Sequence, residues 1–410
     1  MIRRLLPLLL LVSIFACEPA KEPYVLTEFE YKSKVDTNDH EITPQEKKTY
    51  TIDGVSADNL FNGARLNNFS KVDDNHFEAQ VNPENTPINL SAWYSFRVYA
   101  EEEKTVDVTL KYGYAFHRYW PKVSYDRENW TFLDSSKFSV AADTLSATMT
   151  LDISKDTLWV SAQELIDTND MRIWTESLNA EKVKRSTIGK SRLGRDLLSL
   201  DITNGEVDDK DIVLVLSRQH PPEVTGNLAM MHFLEEIIND SELSNDFLDK
   251  HRVIVYPMLN PDGVDLGHWR HNEGGIDLNR DWAYYRQPEI RQICEDIIKR
   301  VNASGGDVKL GLDFHSTWSD IYYIFDDTVQ SKIQGFARDW IDNIFERVPA
   351  DNGEISPFAV GSPVSKNWFY SQFNAEGITY EIGDGTPREL IKTKGQVGAQ
   401  EMMKLLLNKY

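Results

Sequence analysis

Cysteine is almost absent from this 410-residue chain, which has only Cys17 and Cys294. A disulfide framework is therefore excluded as a main source of stability. Basic charge is short as well: 44 Lys and Arg stand against 65 Asp and Glu, for a formal net charge of -21. Phosphate backbones need a cationic surface, so nucleic-acid binding is excluded as a main function, as is electrostatic docking on anionic lipid. Long apolar runs are missing. The sustained one, Leu5 to Phe15, is too short to cross a bilayer. What the chain does have is 41% apolar residues, enough for well-packed cores, and a length that suits two domains.

Arg3 and Arg4 precede that apolar run, and Ala16-Cys17 follows it. The pattern resembles a bacterial lipoprotein signal over residues 1–16, cut before Cys17 and lipidated on that thiol. The expectation is an exported, membrane-anchored protein, periplasmic or on the cell surface; an ordinary secretory signal is the alternative. With Cys17 acylated, no disulfide within the chain could form. Cys294 lies in the apolar helical pattern Ile293 to Ile298 and is expected as an inert core thiol.

Residues 17–47 are polar and aperiodic and read as a tether. Residues 48–178 read as a β-sandwich, because apolar and polar residues alternate around 94–99, 105–110 and 157–160 without a convincing helix between. Across 179–410, strands expected at 212–216, 253–257, 308–314, 321–325 and 378–382 alternate with helices expected at 225–238, 288–302, 331–348 and 387–408. That order implies an α/β unit, a mixed β-sheet with helices on both faces.

Ligands of an open α/β sheet gather outside the C-terminal ends of its strands. His220-Pro221-Pro222-Glu223 follows one such strand, and its imidazole and carboxylate, three residues apart, could clasp one zinc ion. His315, at the end of another apolar strand, is a candidate third ligand. Arg270 and Arg280 stand in loops beside the turn Asn260-Pro261-Asp262-Gly263, where guanidinium groups could grip a carboxylate or steady an oxyanion. Glu381 sits inside an apolar strand, a costly place for a carboxylate unless it is paired or used as a proton acceptor.

Taken together, residues 183–385 resemble the zinc carboxypeptidase family that includes carboxypeptidase A, opening with the segment Ser186 to Leu198. The resemblance implies one zinc ion held by His220, Glu223 and His315, with Asp277 supporting the first histidine. It implies Arg270 at the oxyanion, Asn279 and Arg280 on the substrate's free carboxylate, and Glu381 as general acid and base. His-Pro-Pro-Glu and the loop 257–264 are most similar to the cytosolic carboxypeptidase branch, which also carries a β-sandwich before its catalytic unit. Segments 93–98 and 119–130 resemble that sandwich's signature. Pro222 replaces an arginine of carboxypeptidase A, and 351–366 holds no tyrosine to match that enzyme's mobile one.

The activity this implies is hydrolysis of C-terminal residues from peptides or proteins. Lys366 aligns with the family segment lining the pocket for the terminal side chain, and an ammonium there would favour Glu or Asp. Two other readings stay open at this point: a zinc amidase or deacylase of cell-wall peptides or acylated amino acids, and a non-catalytic binding lipoprotein.

Overall fold

The structure, a computed structural model, describes residues 22–410. The segment expected as a signal, residues 1–16, and Cys17 lie outside the described residues. Among those described, no helix is long and apolar enough to cross a membrane.

Eleven strands come first: β1 (Thr49–Ile52), β2 (Val55–Asp58), β3 (Asn68–Asp73), β4 (His76–Val81), β5 (Ser95–Ala100), β6 (Lys104–Tyr112), β7 (Lys122–Ser124), β8 (Thr131–Phe132), β9 (Phe138–Val140), β10 (Ser146–Ile153) and β11 (Leu158–Ser161). They form two sheets, ordered β1-β2-β5-β11-β7-β8 and β3-β4-β6-β10-β9. Alternation explains how the sheets face each other. In β6, Val106, Val108, Leu110 and Tyr112 are buried while Thr105, Asp107 and Lys111 are exposed. Phe96 and Val98 of one sheet share a core with Val108 and Met149 of the other.

Helix α1 (Thr168–Ser177), started by an Asp167 capping box, leads to the second unit. Its strands are β12 (Val183–Lys190), β13 (Asp196–Ile202), β14 (Asp211–Ser217), β15 (His251–Tyr256), β16 (Val308–Thr317), β17 (Ile321–Phe325), β18 (Glu354–Phe358) and β19 (Glu376–Gly383). They make one sheet in the order β12-β13-β15-β14-β16-β19-β17-β18. The central pairs β15/β14, β14/β16 and β16/β19 are parallel, and β12/β13, β13/β15 and β17/β19 are antiparallel.

The helices are α2 (Val224–Ile237), α3 (Glu242–Lys250), α4 (Pro261–Leu266), α5 (Pro288–Ser304), α6 (Phe336–Arg347), α7 (Ser365–Phe373) and α8 (Arg388–Asn408). Successive residues of β14 serve opposite faces of the sheet. Val213 and Val215 pack with α2, α3, α6 and α8, whereas Ile212, Leu214 and Leu216 pack with α5 and α7. Burying each such side chain contributes about 1.5–3 kcal/mol. Cys294 is buried in the second of these cores, and desolvation holds its thiol well above its usual range. It is a core residue.

Residues 22–47, expected as a tether, lie against the folded units instead, up to about residue 40 along the second unit and from Thr43 on against the sandwich, where Thr43 N donates to Glu84 O. Tyr24 N donates to Asn302 Oδ1 at 2.8 Å, Thr37 Oγ1 to Asp281 Oδ1 at 2.6 Å, and His40 N to Gly274 O at 2.9 Å. Tyr31 and Thr37 are buried. These contacts are isolated aromatic insertions and single hydrogen bonds from backbone or side chain, which leave no periodic trace in the sequence.

Candidate metal centre and active site

Several elements of the second unit end on one spot. The loop after β14 carries His220, and Glu223 is the N-cap residue of α2. His315 lies near the end of β16, and the parallel register sets it opposite Glu381 of β19. One ligand atom each from His220, Glu223 and His315 lies within 4.8 Å of the others, and all three residues are buried. His220 Nδ1 is 2.8 Å from Glu223 Oε1, and His315 Nδ1 is 2.6 Å from Glu223 Oε2. Helix α2 approaches so closely that a Cβ on Gly226 would stand 2.1 Å from the His315 carbonyl oxygen, so only glycine fits there.

Both rings are also braced from behind. Asp277 Oδ1 lies 2.8 Å from His220 Nε2, and Asp313 Oδ2 lies 2.8 Å from His315 Nε2. Each imidazole therefore faces a carboxylate at both nitrogens. A neutral imidazole has one N–H, so each ring needs either a second proton or a cation shared at the Nδ1 side. Carboxylates behind imidazoles are the usual way to orient metal ligands, and two nitrogens with one carboxylate suit zinc. The residues present fit that metal.

The charges reinforce one another. Burial acts to raise the Glu223 carboxyl, but the two imidazoles outweigh it and hold the group below the usual carboxylate range. Burial acts to lower His315, but Asp313 and Glu223 hold it well above the ordinary imidazole value. Asp277, against the effect of burial, is held well below its normal range by Arg270 and His220. Glu381 differs. Burial first, then the Glu223 carboxylate, push it up to about 7, a value suited to taking and returning a proton near neutral pH. Its Oε2 is shut off from solvent and has no hydrogen-bond partner.

Arg270 Nε donates to Asp277 Oδ2 at 2.7 Å, so Asp277 ties this guanidinium to the His220 ring. Asn279 Oδ1 accepts from Ser365 N at 2.9 Å, while its Nδ2 lies 3.4 Å from His315 Nε2. Arg280 Nη1 donates to Asn279 O at 2.8 Å, and the residue is partly exposed. Lys366, wholly buried on α7, has its Nζ 3.7 Å and 4.2 Å from the ring centres of Phe325 and Phe358. Burial pushes this ammonium down to about 7. Arg270, Asn279, Arg280, Phe358 and Lys366 line a cavity of about 500 Å³ together with His220, Glu223, His315 and Glu381, whereas Asp277 is not among its lining residues.

Three further residues escaped the sequence reading. Asp313 was detectable by the reasoning used for Glu381, since it is a carboxylate within the apolar strand β16. Glu84, in the loop after β4, is fully buried and accepts from Trp269 N at 2.7 Å, Arg270 N at 3.0 Å and His271 N at 2.7 Å. The sandwich thus holds the loop that carries Arg270. Arg118, also from the sandwich, lines the cavity with Ser91 and Asn89. Neither left a sequence signal, because each acts on a partner far along the chain. A hollow of similar size, about 510 Å³, lies between α1 and the β12–β13 hairpin. Its Arg172, Arg185 and Arg195 are engaged by Glu176, Asp262 and Asp265, and it has no comparable ligand cluster.

An imidazole–carboxylate–imidazole cluster at the strand ends of a mixed α/β sheet, with a second carboxylate beside it, places the chain among metal-site hydrolase scaffolds. Comparison with known proteins narrows the class. The profile described as "Zinc carboxypeptidase" matches residues 171–396, more than half of the chain, and the chain belongs to that family. A second profile, "Cytosolic carboxypeptidase N-terminal domain", matches residues 58–162. Cytosolic carboxypeptidase 6 of Mus musculus is 29% identical over 146 residues, which are 34% of this chain and 27% of that protein. Cytosolic carboxypeptidase 2 of Xenopus tropicalis is 36% identical over 139 residues, 32% of this chain and 14% of that protein. The matches thus span less than a third of those relatives' own lengths.

Solved structures extend the likeness to both units. The metallo-carboxypeptidase of Burkholderia cenocepacia superposes with a TM-score of 0.71 at 15% identity, covering 86% of this chain and 98% of that one. The metallo-carboxypeptidase of Pseudomonas aeruginosa gives 0.68 at 18% identity, covering 85% and 98%. At these identities the likeness shows the fold.

Proposed function

We propose that this protein is a zinc-dependent carboxypeptidase that removes residues from the C-termini of peptides or proteins. The convergence of His220, Glu223 and His315 beside Glu381 carries the reading. Zinc held by the first three would supply Lewis acidity, lowering the pKa of a water and polarising a carbonyl. Glu381 takes a proton from the attacking water and returns it to the leaving amine. Arg270 donates to the carbonyl oxygen as negative charge develops there. Asn279 and Arg280 grip the free carboxylate, which aligns the terminal peptide bond and no other. Asp277 and Asp313 keep the imidazoles in the orientation the site needs.

The test is mass spectrometry of a peptide library, including members with D-residues and isopeptide links, with and without a chelator. Loss of single C-terminal residues from ordinary peptides, abolished by the chelator and restored by zinc, is the expected outcome. Cleavage confined to isopeptide or D-residue members would replace this reading with a cell-wall amidase.

Lys366 gives the terminal pocket its character. Its Nζ sits between Phe325 and Phe358 and donates to Ile324 O at 3.3 Å, and a charge there is costly unless an anion arrives. An acidic terminal side chain supplies that anion. Peptides ending in Glu are expected to turn over about tenfold faster, in kcat/KM, than those ending in Phe or Lys. Lys366→Ala should erase the difference; an acidic preference that survives the substitution would refute the assignment.

A further inference from the structure

We propose that the seam between the sandwich and the second unit is a binding groove for the part of the substrate upstream of the cleaved bond, with a preference for aromatic side chains. The proposal rests on the carboxypeptidase reading above and extends it to residues that reading leaves unused.

Strand β19 supplies the direction. Lys366 packs beside its beginning, where a Cβ on Gly377 would lie 2.4 Å from the Lys366 carbonyl oxygen. Arg118 packs just beyond its end, donating from Nε to Asp384 Oδ2 at 2.7 Å. Glu381 lies between. At about 3.3 Å per strand residue, Gly377 and Gly383 are roughly 20 Å apart, and Asp384 follows. A chain whose terminal side chain points toward Lys366 and whose last bond lies at Glu381 must therefore leave over Arg118.

A hollow of about 330 Å³ opens at that place. Arg118 lines both it and the catalytic cavity, so the two adjoin across that side chain. The hollow's walls come from both units: Trp120, Phe132 and Phe138 from the sandwich, and Trp318 from the loop that follows β16. Trp318 is 62% exposed, Phe132 53% and Trp120 42%. Three large aromatic residues left open to water around one hollow are unusual for surface without a ligand. Trp318 stands three residues after His315, and the Arg118 guanidinium carbon lies 5.2 Å from its ring centre. Aromatic walls suit an extended peptide, since the rings take an apolar or aromatic side chain, while Arg118, held by Asp384 and Ser91, forms the wall between the two hollows.

The experiment compares two pentapeptides with the same last residue, one carrying Phe and the other Gly at the third position from the C-terminus, together with a blocked dipeptide. The wild-type protein should favour the Phe peptide over the Gly peptide by about tenfold in kcat/KM. Trp318→Ala and, separately, Phe132→Ala should bring that ratio close to one; both side chains are exposed, so neither change opens a core. Equal rates for the two pentapeptides in the wild type, or a ratio untouched by both substitutions, would overturn the groove while dipeptide cleavage kept the carboxypeptidase reading intact. If no peptide is cleaved at all, the carboxypeptidase reading falls and the groove falls with it.

Discussion

Replacing Glu381 by Gln is expected to lower kcat by about 10²–10⁴-fold while zinc content stays that of the wild type. The carboxamide keeps the size of the side chain but cannot accept and return a proton. Its neighbours change little, because Glu381 Oε2 has no partner to lose. Metal analysis alongside turnover separates this from a ligand substitution. His315→Ala removes a donor and leaves Glu223 and Asp313 as buried carboxylates with fewer partners, so metal binding and stability should fall together. A Gln variant retaining a tenth of the activity would show that the proton is handled elsewhere.

The second large effect is expected at a residue that touches neither metal nor substrate. Glu84→Ala leaves three backbone N–H groups, those of Trp269, Arg270 and His271, without their shared acceptor. Each such loss in a buried place costs about 1–3 kcal/mol. Burial alone would raise the Glu84 carboxyl, yet His268, Arg65 and His271 hold it below its usual range, so it is the charged form that is built in. The expected result is a lower Tm and a kcat/KM reduced by about 10–100-fold, because a 1 Å shift of Arg270 is enough for such a loss. Glu84→Gln, which keeps one acceptor oxygen, should fall between the variant and the wild type in both measurements. If Tm drops and kcat/KM does not, Glu84 supports the loop without positioning Arg270.

Why some of this was readable in advance follows from how each element is buried. The central strands β14, β15, β16 and β19 are covered on both faces, so β14 and β15 hold unbroken apolar runs and β16 and β19 are apolar but for a few polar residues, Asp313, His315 and Glu381 among them. Once those strands were placed, the loop holding His220 and the ends holding His315 and Glu381 had to lie on one edge. Amphipathic helices such as α5 were equally plain. Other elements offered no such pattern. Strand β12 is an edge strand with only Val183 buried, and its polar sequence hides its pairing. Helix α7 buries Ser365, Lys366, Asn367, Trp368 and Phe369 in succession, so it shows no apolar stripe. The helix expected from residue 331 begins at Phe336, after a Gly335 N-cap in the left-handed region at φ 91°. Strand β18 has no fully buried residue and the helices α1 and α3 are short and polar, so none of them carries a clear apolar pattern, and the turn at Asn260-Pro261-Asp262-Gly263 is the start of α4.

Val224 belongs to the sandwich's hydrophobic core, as does Trp269, although both are carried by the other unit. One peptide bond separates Val224 from Glu223. The two units consequently have no neutral plane along which one could slide and leave the other undisturbed. A substitution that loosens the sandwich interior around Val224 is therefore expected to shift the carboxylate that both imidazoles face, so that metal affinity would register damage in the front half of the molecule.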